Sequence, residues 1–350
     1  MLLLDTNQIG PNDLRNSLSY RIYQEIARHV GTELVISRIA WLEHLHEFED
    51  GIREAVIRGR ERNGTGLSDQ DVATHARSIR RSYEQEVSAV VEITNEYSQE
   101  EYAEAFRREI WRELPAKQHG DSAIGARDTL VWIDAKKLVN QGQTVVILSN
   151  DKSAFGHGST LHAELIHELN TTESSQLHYY NDLRQYLEVL GLIDEQQVAI
   201  EIAREVSQQA LYGAVNSPGT FVMLVSMINR PLGAGYAWNA GAPSTNGTEI
   251  LGSPYAFRLE AHEYIGMKLS VKASKEFSFT KFSGGTEPWS FEIDGALTVL
   301  AKRVAGTETY ESEIVNWKMS DETSAVISPS GQRVSFSEAQ NRSLETQEPS

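Results

Sequence analysis

The chain has 350 residues, of which 40% are apolar and 23% are charged, a composition that excludes a disordered or fibrous protein. Its 32 basic and 49 acidic residues give a formal net charge of −17. Nonspecific electrostatic binding to nucleic acid is therefore not expected, and any contact with nucleic acid must be local or helped by divalent metal. The absence of cysteine excludes disulfides, thiolate metal sites and a cysteine nucleophile.

The N-terminal sequence MLLLDTN has a short apolar run that is followed directly by an acid. It lacks the basic region and the longer apolar core of a signal peptide. No stretch of the sequence approaches the length of a membrane span. We therefore expect a cytoplasmic protein that makes no membrane contact.

The first half of the sequence alternates short apolar strands with helices. The predicted strands are Leu2–Leu4, Leu34–Ile36 and 144–148, and the predicted helices are 12–30, a helix that begins after Ser37, and 121–140. This order favours an α/β fold in which a parallel sheet is flanked by helices.

The pattern predicts several regions along the chain. Residues 1–170 form the α/β domain, within which residues 50–118 are a long, polar, helical insert. Residues 171–215 are a helical extension or connector. Residues 216–335 alternate at period two between frequent turn signals, which predicts a second, antiparallel β-rich domain. The tail, 336–350, is predicted to be disordered.

Four acids occupy informative positions relative to the predicted strands. Asp5 ends the first strand, Glu43 lies on the helix after the second, Asp128 lies near the start of the helix before the third, and Asp151 follows the third. Because ligands bind at the carboxyl edge of open parallel sheets, these acids are expected to meet at one edge. Carboxylates gathered in this way repel one another unless cations bind, and Mg²⁺ or Mn²⁺ prefers such oxygen ligands.

The sequence around these acids resembles a PIN domain. The segments LLLDTN, ISRIAWLEHL, GARDTLVWIDA and VVILSND occur in the family's order, and the resemblance covers about residues 1–190. It is greatest to a bacterial subgroup with a long helical insert between the second and third acidic motifs. The resemblance implies a metal-dependent nuclease, most often one that acts on RNA.

Carried over motif by motif, the resemblance makes Asp5, Glu43, Asp128 and Asp151 the catalytic and metal-binding acids. Asn7 and Ser149 become polar helpers near the metal. One departure is that Ala154 stands where the family often carries another acid, just before the phenylalanine.

The predicted function is a metal-dependent hydrolase, an endoribonuclease-type enzyme in which Mg²⁺ or Mn²⁺ activates water for attack on a phosphodiester. The substrate is RNA or single-stranded DNA. The alternative is a catalytically silent PIN-like scaffold whose β-rich domain binds a partner protein. The sequence leaves open whether the chain forms a homo-oligomer.

Two further alternatives concern the same residues. A haloacid-dehalogenase-type phosphatase needs a second aspartate two residues after the first, and Asn7 stands there instead. The arginines that crowd the insert are interpreted either as a solvated helical face with internal ion pairs or as a clamp that leads RNA phosphates to the acidic edge. The first interpretation is favoured because acids balance the bases.

Overall fold

The computed structural model forms two compact units: the first comprises Met1–Glu61 and Thr65–Ile193, and the second comprises Asp194–Ser350 together with Arg62–Gly64. The structure describes residues 1–10, 13–63, 67–119, 122–169, 171–193, 196–215, 236–237, 244–259, 261–280, 286–304, 306–307, 309–320, 323–328 and 330–336.

The first unit is built on a five-stranded sheet. The strands of this unit are β1 (Leu2–Leu4), β2 (Leu34–Ile36), β3 (Glu92–Ile93), β4 (Lys117–His119), β5 (Ser122–Ile124), β6 (Val145–Leu148), β7 (Gly156–His157), β8 (Thr160–Leu161) and β9 (Leu177–Tyr180). The sheet has the order β3-β2-β1-β6-β9 with all strands parallel, while β4–β5 and β7–β8 form small antiparallel pairs. The α/β class predicted from the sequence is confirmed.

Helices connect these strands. They are α1 (Thr6–Ile9), α2 (Leu18–Val30), α3 (Arg38–Asn63), α4 (Asp69–Ser88), α5 (Gln99–Trp111), α6 (Ala126–Asn140), α7 (Ala163–His167), α8 (Thr171–Gln176) and α9 (Leu183–Val189). Local signals fix some of their ends. The Ser17 side chain caps the start of α2, and Gly31, in the left-handed conformation, ends it.

The central strands end at a common level. Leu4 pairs with Ile36 of β2 on one side and with Leu148 of β6 on the other. All three residues of β1 are buried, as is typical of a strand that helices cover on both faces. The chain runs outward from β1 to β2 and β3, and then returns to the other side of β1 for β6 and β9. The strand order therefore reverses between β1 and β6, the switch point at which open α/β sheets form their ligand crevice.

The predicted insert, 50–118, is mostly helical, but it also supplies the edge strand β3. Two buried side chains, His44 of α3 and Tyr83 of α4, join helix α4 to the rest of the first unit. His44 Nδ1 lies 2.7 Å from the carbonyl oxygen of Gly10, and His44 Nε2 lies 2.7 Å from the Tyr83 hydroxyl. A carbonyl can only accept, so Nδ1 donates and Nε2 accepts. Burial lowers the pKa of His44, which fits a neutral ring.

The structure differs from the sequence prediction in 171–215, for which helix was expected throughout. Residues Leu177–Tyr180 form β9, which pairs in parallel with β6 and completes the first sheet. The last part of the stretch forms α10 (Gln196–Val215), which lies in the second unit. The strand is hidden in the sequence because LHYY lies between helix-favouring residues, and pairing with β6 outweighs that local tendency.

The second unit is an antiparallel sheet with α10 packed on it, so the predicted β-rich second half is confirmed. Its strands are β10 (Tyr236–Ala237), β11 (Ser244–Ile250), β12 (Tyr255–Leu259), β13 (His262–Thr280), β14 (Thr286–Val304), β15 (Glu311–Met319), β16 (Ala325–Ile327) and β17 (Arg333–Ser335). Its core joins small residues of α10, such as Ala203 and Ala210, to apolar residues such as Leu269 and Phe291. Residues 337–350 of the predicted tail lie outside the described residues.

Candidate functional site

An open cavity of about 500 Å³ lies at the carboxyl edge of the first sheet. All four predicted acids line it: Asp5, Glu43, Asp128 and Asp151. The structure thus brings them to one place although 146 positions separate the first from the last. Three other polar residues whose part in the site the sequence analysis missed, Thr6, Glu47 and Arg127, line the same cavity.

Asp5 is held most firmly. It follows β1 directly, is 5% exposed, and caps α1 by accepting the Thr6 amide at 2.7 Å. Its other oxygen accepts the Ser149 hydroxyl at 2.6 Å and the Asn7 side-chain amide at 2.9 Å. The two predicted polar helpers therefore lie against Asp5, and the Asn7 amide also contacts Ser149 Oγ at 3.2 Å.

The environment of Asp5 opposes its negative charge. Burial raises the pKa of Asp5, and the nearby charge of Asp151 raises it further, against the opposing effect of the hydrogen bonds from Ser149, Thr6 and Asn7. A carboxyl group that is difficult to ionise in the protein alone is one that a bound cation would stabilise in its charged form.

Glu43 projects from the second turn of α3 and is engaged through both oxygens. One accepts the Thr6 hydroxyl at 2.5 Å, and the other forms an ion pair with Arg127. The neighbouring His44 fixes this part of α3 against the loop after α1, because its ring donates to the Gly10 carbonyl. Glu47 follows Glu43 one helical turn later on the cavity side.

Asp128 lies in the first turn of α6, which begins after Gly125. Gly125 has a φ of +119°, a conformation that residues with a side chain rarely adopt. A Cβ at this position would lie 2.6 Å from the backbone of Ala116 and 3.2 Å from Asp128 Oδ2. The start of α6 therefore needs a glycine in order to bring Asp128 to the cavity.

Asp151 lies in the turn that follows β6. Its Oδ1 accepts hydrogen bonds from the Ser153 amide and hydroxyl and from the Ala154 amide, at 2.6 to 3.0 Å. Ala154 itself is fully buried in the apolar core beside Phe155. The turn thus fixes Asp151, while position 154 belongs to the core.

Within the described residues, no three acidic or histidine side chains are gathered closely enough to hold a metal ion together. The contacts above give the physical reason. Glu43 is turned toward Arg127 and Thr6, and one oxygen of Asp151 is turned toward its own loop. The acids share a cavity, but several of them are engaged by protein partners.

The residues that the sequence analysis missed are direct neighbours of predicted ones. Thr6 follows Asp5, Arg127 precedes Asp128, and Glu47 lies four residues after Glu43 on the same helix. Helical periodicity could have identified Glu47. The Arg127–Glu43 contact joins two helices that are far apart in the chain, and no local pattern predicts it.

Comparison of the chain with protein-family models, with curated proteins and with solved structures gives no match. The fold and the site together define an α/β protein with an acid-lined cavity at the switch point of a parallel sheet. Among the helices that the structure describes, none has the length and apolar character needed to span a membrane.

Proposed function

We propose that the first unit is a metal-dependent nuclease that hydrolyses phosphodiester bonds, with RNA as the preferred substrate class and single-stranded DNA as the other candidate. The observation that carries the proposal is the convergence of Asp5, Glu43, Asp128 and Asp151 on one cavity at the switch point. The resemblance of the surrounding segments to a PIN domain supports the same chemistry.

The donor set fits a hard divalent cation. The acids that line the cavity offer oxygen ligands, and the set contains neither histidine nor sulfur. Such a set suits Mg²⁺ or Mn²⁺. Asp5, whose burial opposes its charge, and Asp151, which adds to that effect, would both gain from a cation between them.

Each residue has a part that its contacts define. Asp5, Glu43, Asp128 and Asp151 would hold the cation, which when bound supplies an activated water and stabilises charge on the phosphate. Ser149 and Asn7 orient the Asp5 carboxylate through their hydrogen bonds. The turn 151–154 orients Asp151, and Gly125 allows α6 to present Asp128.

The direct test is incubation of the full-length protein with labelled RNA and with labelled single-stranded DNA, in Mn²⁺ and in EDTA. We expect cleavage in Mn²⁺ alone, with products that carry a 5′-phosphate and a 3′-hydroxyl. The Asp128→Asn variant serves as the inactive control. Equal cleavage in EDTA, or none by the wild type in Mn²⁺, would overturn the proposal.

A second candidate is a catalytically silent scaffold of this fold, whose β-rich unit binds a partner protein. Two observations favour it: the acids of the described residues are not drawn together into a ready metal group, and Ala154 lies in the core in place of the family's further acid. Calorimetry separates the two functions, because a scaffold takes up no Mn²⁺ at the cavity.

A further inference from the structure

Arg127 brings a positive charge into a cavity that is otherwise lined by acids. Of the residues that line the cavity in the described part of the chain, Arg127 is the one that carries a positive charge, beside five carboxylates. Its guanidinium pairs with Glu43, yet its side chain is 69% exposed, against 22% for that of Glu43. The acid is therefore fixed and partly covered, while the base reaches it from the solvent side.

This arrangement bears on how a cation could enter. Glu43 is one of the four acids proposed to hold the metal, and the guanidinium occupies one of its oxygens while the Thr6 hydroxyl occupies the other. A divalent ion that approaches Glu43 through the oxygen paired with Arg127 therefore competes with the guanidinium for that oxygen. The exchange is feasible because water already competes for the exposed guanidinium, which weakens its pairing with Glu43.

We propose that Arg127 neutralises the charge of Glu43 in the metal-free protein and releases this carboxylate when a divalent metal binds. The freed guanidinium then contacts a phosphate of the substrate. The inference rests on the proposed nuclease function. An exposed guanidinium at the rim of an acidic cavity is suited to the second step, because its planar donors match phosphate oxygens in pairs. It also gives the strongly acidic chain a local contact for a polyanion.

The test measures Mn²⁺ affinity by isothermal titration calorimetry on the full chain. Arg127→Gln removes the competing charge, and we expect it to bind Mn²⁺ roughly tenfold more tightly than the wild type, within the usual range of coupling between two sites. Arg127→Lys keeps a charge with a poorer fit to the carboxylate and should lie between the two. Arg28→Gln is the matched control, since Arg28 is 70% exposed and pairs with Glu25 on α2, and it should bind as the wild type does.

A double-mutant cycle separates exchange at Glu43 from a general effect of charge. In a Glu43→Gln background, Arg127 has no carboxylate to release, so the gain from Arg127→Gln should largely disappear. An undiminished gain would mean that the charge acts through space, and it would overturn the exchange. Unchanged or weaker Mn²⁺ binding by Arg127→Gln would overturn it as well.

The phosphate step has its own readout. Arg127→Gln should raise the KM for single-stranded RNA at saturating Mn²⁺ even though it binds the metal more tightly, a combination that general loosening of the site does not produce. An unchanged KM would overturn this step. If the wild type and all variants bind no Mn²⁺, the proposed nuclease function fails along with the inference. If all bind Mn²⁺ equally, the inference alone fails.

Discussion

At the scale of single residues, the surroundings of Asp5 disfavour the ionised form of its carboxyl group. This residue is nearly fully buried and follows a buried apolar strand, so the hydrogen bonds from Ser149, Asn7 and Thr6 compensate only part of the lost hydration. Burial is the main reason that its pKa is raised, and the charge of Asp151 raises the pKa further. The protein environment therefore favours the uncharged form of this carboxyl group.

The raised pKa predicts the direction of one pH effect. The folded state takes up the Asp5 proton at a higher pH than the unfolded chain does, so this group adds stability as pH falls through its folded pKa toward the ordinary value of 3.8. Other acids titrate too, and the effect must therefore be isolated by difference. We expect metal-free wild type to gain stability relative to Asp5→Asn as pH falls from 7 toward 4, as measured by urea unfolding.

A difference in unfolding free energy that stays constant over this pH range would show that the Asp5 pKa is not raised. A difference that moves against the wild type as pH falls would show that it is lowered, as in an acid already balanced by a cation of the protein. Asp5→Asn also changes the unfolding free energy by an amount that does not depend on pH. The informative quantity is therefore the change of this difference with pH.

Ala154 gives a second prediction at this scale. It is fully buried among apolar residues, so an acid cannot be placed there without burying a charge. We expect Ala154→Asp to destabilise the protein by more than about 3 kcal/mol, as measured by chemical denaturation. Lys152→Asp places the same side chain on an exposed position of the same turn and should change stability little. Unchanged stability together with tighter Mn²⁺ binding in Ala154→Asp would show that position 154 faces the cavity.

At the scale of elements, the start of α6 positions the third acid. Gly125 combines a positive φ with a close approach to the Ala116 backbone, and Asp128 follows within one helical turn. We expect Gly125→Ala to destabilise the fold by at least about 1 kcal/mol and to weaken Mn²⁺ binding, because the helix start must shift. Thermal unfolding and calorimetry measure the two effects.

Gly51 provides the matched control for this change. It lies exposed within α3, and a Cβ there would meet no atom within 4 Å. Gly51→Ala should stabilise the protein by about 0.5 to 1 kcal/mol, since alanine is the better helix former. If Gly125→Ala behaved in the same way, the strained start of α6 would have no part in holding Asp128.

The helices and strands differ in how well the sequence predicts them. The strands β1, β2 and β6 are continuous apolar runs that are largely buried, and such runs can be recognised without a structure. The edge strand β3 has only two residues, and β9 lies between helical segments, so pairing with β2 and with β6 decides their structure. The boundary of the second unit could not be predicted either. The sequence of α10 indicates a helix, but it does not indicate that this helix packs on the antiparallel sheet.

At the scale of the whole molecule, part of the site also follows from the local sequence, and part depends on tertiary contacts. The positions of the four acids relative to the predicted strands placed them at one edge of the sheet, and the structure brings all four to one cavity. The ion pair between Glu43 and Arg127 depends on how α3 and α6 meet, which no pattern in the chain encodes. The sequence analysis therefore identified four of the five acids that line the cavity and missed Glu47 and Arg127.

Because the chain has a net charge of −17, a polyanion would need a local positive charge on the protein in order to bind, and Arg127 supplies one at the cavity. The repulsion that the acids add to the net charge should be relieved when a metal binds or when one acid is neutralised. Arg127 already balances the charge of Glu43, so Glu43→Gln should lose stability in the metal-free protein.

The central claim is that the four acids hold a divalent metal, and one set of melting curves tests it most directly. Wild type, Asp5→Asn, Glu43→Gln, Asp128→Asn and Asp151→Asn are melted with and without Mn²⁺. Only a ligand bound to the folded state stabilises it, by about 2.7 kcal/mol at a concentration 100 times the Kd. We predict that Mn²⁺ raises the Tm of the wild type and hardly changes that of the four variants, with metal-free Asp128→Asn as stable as the wild type. Four variants that are all destabilised without metal, and that all still respond to Mn²⁺, would contradict the account.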